Sequence, residues 1–249
     1  MKSVRYYNEH AQELNEFYSG ISSITVHSPW KRHLPQRAGL ACDIGAGTGR
    51  DANWLAEQGW DVIAVEPSDA MRDIAITNSH PNVTWLNDAL PKLDTLRNLG
   101  HRFDLILLSA VWMHVTPSQR ERAFRILTEL LGPGGVLVIS LRHSTDEVEN
   151  QQRTFHPVSV NELELYAQQR AVSVAECYKH ADLSRKHVTW ETVVLRMPDD
   201  GTGSLPLLRH VIVNDNKSSS YKLGLLRALT RIAECAPGIV QTRDEDSID

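Results

Sequence analysis

Three glycines alternate with small residues directly after an apolar segment, and this pattern restricts how the chain can fold. The stretch DIGAGTGRD covers residues 43–51 and follows the apolar run that begins at Leu40. Glycine tolerates positive φ and lets the backbone approach a ligand closely. In open α/β sheets, the turn between the first strand and the first helix is where ligands bind. The pattern therefore predicts a nucleotide-like ligand at the carboxyl end of the first strand.

Apolar and amphipathic segments alternate after this turn. Further strands are predicted at 61–67, 83–88, 103–112 and 136–141, and helices at 51–58, 70–78 and 118–131. Continuous apolar strands that alternate with helices are typical of a parallel sheet whose two faces are both covered. Before the first strand, residues 5–18 predict one helix, and the segment containing Pro29 and Pro35 is predicted to be irregular.

The composition is that of a globular protein with one large domain, or with one domain and a small appendage. Of the 249 residues, 41% are apolar and 23% are charged, and the net charge of −5 gives no overall attraction to nucleic acid. The three cysteines lie far apart and the histidines lack metal-ligand spacing such as HExxH, so we predict neither disulfides nor a metal site. No segment resembles a signal peptide or a membrane span, which favours a cytoplasmic location without membrane contact.

Two carboxylates and one arginine narrow the choice of ligand. Glu66 follows the second strand, where its carboxylate can accept hydrogen bonds from both hydroxyls of a ribose. Arg50 occupies the position at which the dinucleotide-binding motif GxGxxG needs its third glycine. Asp43 would repel a pyrophosphate and attract a cation. A nucleoside with a positively charged tail is therefore favoured over a dinucleotide; the alternative is a purely structural glycine turn beside a solvated Glu66.

The order of these motifs resembles that of the class I S-adenosylmethionine-dependent methyltransferases. Residues 43–49 match the family's E/D-x-G-x-G-x-G loop, and Glu66 matches its ribose-binding acid. The likeness continues through WLNDAL (85–90), FDLILLSAVWMHV (103–115) and LLGPGGVLVIS (130–140). It covers about residues 36–142 and continues more weakly to about residue 196.

The resemblance implies a fold as well as a ligand. We expect an α/β, Rossmann-like, doubly wound and mostly parallel sheet of seven strands with helices on both faces. An N-terminal helical cap would precede it and a C-terminal helical extension would follow. The last strand of such sheets is antiparallel; residues 186–197 are predicted to form it, with residues 171–178 as its partner.

The same resemblance implies S-adenosylmethionine as cofactor, with S-adenosylhomocysteine as product. The glycine backbone would face the methionine part and the ribose, Asp43 would hold the ammonium group, and Asp88 would accept from the adenine amino group. Tyr7 resembles an aromatic residue that closes the pocket in many relatives, although a helical tyrosine more often packs. The implied cofactor-binding residues are Tyr7, Asp43, Gly45, Ala46, Gly47, Gly49, Glu66, Pro67, Ser68, Met71, Asn87, Asp88, Ala89, Ser109, Ala110 and Val111.

The methyl acceptor is less constrained. His114 lies beyond the fourth strand, where it is a candidate general base, although a histidine there can equally pack or shape the pocket. The candidate acceptor-binding residues are Trp112, His114, Arg142 and His143, with His156 on the same rim. The DNA-methyltransferase motif (D/N)PP(Y/F/W) is replaced by SAVW, and no Pro-Cys nucleophile is present. A small-molecule acceptor is therefore favoured, RNA and protein acceptors stay open, and a non-catalytic cofactor-binding or interaction module is the alternative function.

Three regions are predicted along the chain. Residues 1–35 form the helical cap, residues 36–198 the methyltransferase domain and residues 199–249 the extension. Apolar residues at helical spacing predict an amphipathic helix at 221–236, which would pack on the sheet or dock a protein partner. A locally basic composition leaves nucleic-acid contact as the alternative there. The acidic end, RDEDSID, is predicted to be disordered, and the unused apolar stripe raises the possibility that the chain belongs to a longer protein.

Overall fold

The structure, a computed structural model, describes residues 2–170, 172–182 and 184–197, together with Gly224. The chain divides into two compact units, Met1–Gly203 and Ser204–Asp249. Everything below concerns the first unit. The amphipathic helix and the acidic end predicted for the extension lie outside the described residues, so both stay predictions.

Seven strands form one sheet in the first unit. They are β1 (Leu40–Ile44), β2 (Asp61–Val65), β3 (Val83–Leu86), β4 (Phe103–Ser109), β5 (Leu131–Ser144), β6 (Ser173–Ala181) and β7 (Val188–Arg196). Their order across the sheet is β3-β2-β1-β4-β5-β7-β6. Strands β1 to β5 pair in parallel, whereas β7 is antiparallel to both β5 and β6. The sheet is therefore mixed, as expected from the predicted antiparallel last strand.

Nine helices are described alongside this sheet, within residues 2–170. They are α1 (Lys2–Glu9), α2 (Ala11–Ser19), α3 (Ser23–His27), α4 (Arg50–Glu57), α5 (Asp69–Thr77), α6 (Asp94–Asn98), α7 (Pro117–Leu130), α8 (Glu147–Gln152) and α9 (Val160–Gln169). Short 3-10 helices cover Lys31–His33 and Trp112–His114. In the described part of the chain, we find no helix with the length and apolar character needed to cross a bilayer.

Alternate residues of each central strand pack on opposite faces of the sheet. In β4, Ile106 and Leu108 share a core with Phe124 of α7, whereas Leu105 and Leu107 share a second core with Leu55 of α4. All six of these side chains are fully buried. Helices therefore cover both faces, as the apolar strand pattern predicts.

The strand order places the glycine turn at a crevice. Strand β1 lies between β2 and β4, so the chain leaves β1 toward one edge of the sheet and later returns on its other side. Open α/β sheets bind ligands at such a reversal, beyond the carboxyl ends of the strands. The glycine turn after β1 and residues 109–111 after β4 meet there, because β1 and β4 pair directly in parallel.

The N-terminal region departs from two predictions. The single helix expected over residues 5–18 is divided into α1 and α2 at His10, whose φ is −115°. The segment expected to be irregular contains α3 and a 3-10 helix. His27 and Trp30 anchor it: both are buried, and their rings lie 4.7 and 6.0 Å from that of Trp54. The sequence does not reveal this segment, because tertiary packing holds it in place. Its helices are also too short to show apolar residues at a helical period.

Helices α6, α8 and α9 are additions to the predicted set. Two of them begin with side-chain caps, because Asp146 accepts from the backbone N–H of Glu149 at 3.0 Å and Ser159 from that of Asn161 at 3.2 Å. Such caps are a recognisable start signal for a helix. The sequence therefore held evidence for α8 and α9 that their short, irregular apolar pattern concealed.

Candidate active site

A cavity of about 730 Å³ lies at the carboxyl ends of the central strands, beneath the N-terminal helices. Its lining comes from the turns after β1, β2 and β4, from helices α1 to α3 and from the turn between β6 and β7. Most of the predicted site residues line it. They are Tyr7, Asp43, Gly45, Ala46, Gly47, Glu66, Pro67, Met71, Asp88, Ala89, Ser109, Ala110, Val111, His114 and Arg142.

The glycine turn has the backbone that its sequence predicts. Gly45 has φ +73°, and a Cβ there would collide with the side chain of Val111, so both the conformation and the close packing require glycine. Gly47 has φ +56°, and nothing lies within 4 Å of the place where its Cβ would stand. The turn thus presents bare backbone to the cavity at Gly47.

Glu66 is tied to this turn. Its Oε2 accepts from the backbone N–H of Gly47 at 2.8 Å, and its Oε1 accepts from the backbone N–H of Ser68 at 2.8 Å. Burial raises the pKa of the carboxyl, and the two backbone hydrogen bonds oppose that shift. Each oxygen keeps a second lone pair. The carboxylate can therefore shape the glycine turn and still accept from a ligand hydroxyl.

Asp43 holds a buried oxygen without a partner. The residue is 1% exposed, and its Oδ2 accepts no hydrogen bond from the described part of the chain. Burial raises the pKa of this carboxyl well above its usual value, and Asp51 raises it further, while Arg50 opposes the shift. A buried carboxylate oxygen facing a cavity needs a donor or a cation. The ammonium group of S-adenosylmethionine fits that need.

The adenine end of the predicted site differs in part from expectation. Asp88 lines the cavity, but its two oxygens already accept from the backbone N–H groups of Ala89 at 2.8 Å and Leu96 at 2.9 Å. Its side chain therefore supports the start of α6, and only its remaining lone pairs can serve a ligand.

Three residues of the predicted cofactor set do not line the cavity. The Ser68 hydroxyl is buried; it caps α5 by accepting from the N–H of Met71 at 3.2 Å and donates to Asn8 at 2.7 Å. Asn87 is exposed, and Gly49 forms the N-terminal cap of α4. Ser68 and Gly49 thus have structural roles, and the structure places Ser68, Asn87 and Gly49 outside the cavity lining, which differs from the expectation for all three.

The chain turns sharply into the cavity after β4. Ala110 has φ +60°, a left-handed conformation that costs a residue with a side chain on the order of 1–3 kcal/mol. Such strained residues cluster at functional sites. Ser109, Ala110 and Val111 all line the cavity, and Val111 is the side chain that packs against Gly45.

His114 lines the cavity and belongs to a polar network. Its Nε2 is 3.0 Å from the hydroxyl of Tyr7, and its ring is 4.8 Å from that of Phe155. Arg153 donates through one nitrogen to the hydroxyls of Tyr7 at 2.9 Å and Tyr18 at 3.0 Å. Burial lowers the pKa of His114 to about 3, and the positive charge of Arg153 contributes. The imidazole is therefore neutral at physiological pH.

The network accommodates one tautomer of the imidazole. Because the oxygen of Tyr7 accepts from Arg153, its own proton is free to go to Nε2 of His114. The proton of the neutral ring then stands on the buried Nδ1, and the backbone of Arg153 also interacts with the ring. In this tautomer the basic nitrogen of His114 is already occupied.

Two predicted acceptor residues lie elsewhere. Trp112 is 0% exposed and packs edge-to-face on Phe124 in the core, so the expectation that it binds the acceptor is wrong. His143 lies 2.9 Å from Glu191 and, with His156, lines a separate cavity of about 350 Å³. Of the predicted acceptor set, only His114 and Arg142 line the main cavity.

Several residues that line the cavity are absent from the sequence-based prediction. Tyr18, Arg153, Phe155, Asp182, Arg185 and Trp190 all line the cavity. Trp190 lies in the predicted last strand, but the others come from helix ends and turns without a motif. Only the fold brings them together.

Comparison with known proteins settles the family. Residues 28–187 match the family described as a methyltransferase domain. The chain belongs to this family. The resemblance to class I S-adenosylmethionine-dependent methyltransferases is thereby confirmed. Residues 201–249 match a second family, described as a domain of unknown function.

The methyltransferase domain accounts for the similarity to curated relatives. An uncharacterized methyltransferase of Alkaliphilus oremlandii is 28% identical over 53% of this chain and 57% of its own length. One from Oceanobacillus iheyensis is 33% identical over 51% of this chain and 54% of its own length. The chain thus spans about half the length of these relatives.

Solved structures share the fold of the methyltransferase domain. The 1,6-didemethyltoxoflavin-N1-methyltransferase of Burkholderia thailandensis has a TM-score of 0.61 at 20% identity, over 79% of this chain and 88% of its own. The N-methyltransferase NodS of Bradyrhizobium japonicum, solved with S-adenosylhomocysteine, has a TM-score of 0.56 at 16% identity, over 70% of this chain and 87% of its own. At these identities the likeness shows the fold alone.

Proposed function

We propose that the protein transfers a methyl group from S-adenosylmethionine to a small-molecule acceptor. The observation that carries this proposal is the unpartnered Oδ2 of buried Asp43, which lies at the same cavity as the Glu66 carboxylate and the bare backbone at Gly47. The Asp43 oxygen suits a cation, and the Glu66 carboxylate suits a ribose. The bare backbone at Gly47 lets the tail of the nucleoside approach closely.

The cofactor would occupy the end of the cavity formed by β1, β2 and β4. Asp43 would bind its ammonium group and Glu66 its ribose hydroxyls. Pro67, Met71 and Ala89 would pack against the adenine, since all three line the cavity beside Glu66 and Asp88. Solved structures with this fold carry S-adenosylhomocysteine, which supports the assignment.

Methyl transfer makes limited chemical demands on the protein. S-adenosylmethionine supplies a methyl group bound to a positively charged sulfur. The protein must align the acceptor in line with that bond and exclude water, and alignment alone can lower the barrier by several kcal/mol. Val111 and the strained Ala110 line the cavity between the end of β4 and His114 in the sequence, so they would help to fix the relative positions of the two reactants.

The shape of the cavity favours a small acceptor. Its volume of about 730 Å³ lies within the range of small-molecule sites, roughly 300–1,000 Å³. Residues of α1, α2 and α3 line it opposite the strand ends, so an acceptor would be largely enclosed. One solved structure with this fold contains the small molecule 1,6-didemethyltoxoflavin, which is consistent with such an acceptor.

The experiment begins with cofactor binding. Calorimetry should show S-adenosylhomocysteine binding to the full chain and no comparable binding of NAD. Asp43→Asn should weaken it at least tenfold, whereas Asp61→Asn, at the exposed amino end of β2, should not. A small-molecule panel with methyl-labelled S-adenosylmethionine then tests transfer.

Two results would count against the proposal. Tight NAD binding without S-adenosylhomocysteine binding would contradict the cofactor assignment. Binding of S-adenosylhomocysteine without transfer to any small molecule, RNA or protein would instead favour a non-catalytic module.

A further inference from the structure

Three arginines from separate parts of the chain meet at the acceptor end of the cavity. Arg142 lies near the end of β5, Arg153 follows α8, and Arg185 lies in the turn between β6 and β7. All three line the cavity. Burial lowers the pKa of Arg142, and the positive charges of Arg185 and Arg153 lower it further, while Glu149 opposes the shift.

The guanidinium groups retain donors without acceptors. The side chain of Arg142 is only 2% exposed, and its Nε and one terminal nitrogen have no hydrogen-bond partner among the described residues. The same is true of the Nε atoms of Arg153 and Arg185. A buried guanidinium with unused donors is costly unless an acceptor reaches it.

The nearby carboxylates are already engaged. Glu149 pairs with Arg142 through Oε2 and with Arg153 through Oε1, the latter at 2.9 Å. Asp182 accepts from Arg185 at 2.7 Å and from the indole N–H of Trp190 at 2.9 Å, both through Oδ2. Both carboxylates that pair with the three arginines are therefore already engaged.

An aromatic wall continues from Arg142 toward His114. The Arg142 guanidinium lies 5.1 Å from the centre of the Phe155 ring, and the His114 ring lies 4.8 Å from the same centre. The Arg153 guanidinium lies 5.0 Å from that centre as well, so a flat ligand against Phe155 would lie beside both arginines.

We propose that the methyl acceptor carries a carboxylate, which Arg142 binds through its unpartnered donors, on a flat apolar body that lies against Phe155. One carboxylate supplies the acceptor oxygens that Arg142 lacks, and guanidinium and carboxylate match in bidentate geometry. This inference rests on the proposed function, because it names the acceptor of the same site.

Measurements of ligand binding test this proposal without requiring methyl transfer. Benzoate, indole-3-acetate and 4-hydroxybenzoate, each paired with its neutral primary amide, are titrated calorimetrically into the full chain with and without S-adenosylhomocysteine. At least one carboxylate should bind at least tenfold more tightly than its amide. Arg142→Gln should abolish that preference, and Arg125→Gln, an exposed arginine of α7 outside the cavity, should retain it.

The outcomes separate this inference from the proposed function. If no carboxylate binds, if amides bind equally, or if Arg142→Gln keeps the preference while circular dichroism shows a folded chain, the carboxylate assignment is overturned. If Arg142→Gln unfolds, Arg142→Lys, which keeps the charge but loses the planar fork, should still weaken binding, and unchanged binding overturns the assignment. Failure of S-adenosylhomocysteine to bind counts against the proposed function alone, because the titrations without it still test Arg142.

Discussion

The hydroxyl of Tyr7 lies 3.0 Å from Nε2 of His114, and this contact occupies the nitrogen that a general base would need. Arg153 reinforces the arrangement by donating to the same hydroxyl at 2.9 Å. A histidine considered from sequence as a possible base is thereby directed to a different task. It lines the cavity and can shape it, but removing an acceptor's proton through Nε2 would first require the Tyr7 contact to break.

The first prediction concerns pH and His114. Since the pKa of His114 is about 3, the rate of methyl transfer should show no ionisation of His114 near pH 6.5. His114→Ala should leave S-adenosylhomocysteine affinity within about twofold and should act mainly by raising the acceptor KM. Steady-state kinetics between pH 5 and 9 measure both. Two results together would identify His114 as a general base. The variant would lose roughly a hundredfold in kcat, and an ionisation seen in the wild-type pH profile would be absent from that of the variant.

The second prediction concerns the charge of Asp43. Burial raises its pKa above the unfolded value, so ionising it costs stability as the pH rises through that window. Asp43→Asn should therefore raise the melting temperature of the ligand-free protein at pH 7. It should also make S-adenosylhomocysteine affinity less dependent on pH, because in the wild type affinity falls as Asp43 is protonated. Calorimetry at several pH values, with Asp61→Asn as control, provides the test.

The third prediction concerns Glu66. Hydrogen bonds to a charged group contribute roughly 1.5–3 kcal/mol each, so Glu66→Ala should weaken cofactor binding by about ten- to several-hundredfold. Because the carboxylate also accepts from Gly47 and Ser68, the melting temperature should fall as well. Glu57→Ala, at an exposed position of α4, is the control. Unchanged affinity in Glu66→Ala would mean that the ribose is held elsewhere.

The fourth prediction separates two roles of Asp88. Its bonds to the N–H groups of Ala89 and Leu96 give it a structural role, so Asp88→Ala should lower stability by about 1–3 kcal/mol. If Asp88 also accepts a hydrogen bond from adenine, the wild type should bind an inosine-type analogue more weakly than the cofactor. Asp88→Ala should then bind the analogue and the cofactor with nearly equal affinity. Equal losses on both proteins would leave only the structural role.

The fifth prediction concerns Trp112. Trp112 is fully buried in the core, so Trp112→Ala should lower the free energy of unfolding by about 3–5 kcal/mol. Denaturant unfolding measures this loss, and Leu165→Ala, at a largely exposed site, is the control. Trp112→Phe should retain most of the stability and leave the acceptor KM unchanged. A changed KM in that folded variant would return Trp112 to the acceptor site.

The cofactor end was largely predictable because short contiguous motifs build it. The glycine turn, Glu66 and residues 109–111 each follow a strand, and the parallel sheet brings all strand ends to one edge. Errors arose where local geometry decides the direction of a side chain. Ser68 stands two residues from Glu66, yet the start of α5 turns its hydroxyl into a helix cap. Spacing alone does not show that rotation.

The acceptor end resisted prediction for a different reason. Its contacts join residues far apart in sequence, such as Tyr7 with His114 and Arg153 with Tyr18. None of these residues repeats with a helical or strand period that marks it as functional. Arg153 stands in a polar stretch whose position depends on α8, a helix of six residues. Such a network becomes visible only when the fold is known.

The reversed direction of β7 has a consequence for how new specificities arise. Because β7 pairs with β5 from Ser144↔Val188 onward, the hairpin joining it to β6 opens at the same edge as the cavity. Arg185 thus reaches the cavity from a segment separate from the turns after β1, β2 and β4. Under the proposed function, insertions or exchanges in residues 182–187 would change the choice of acceptor while the turns proposed to bind the cofactor stay intact. The hairpin is therefore the natural starting point for a library that tests acceptor choice.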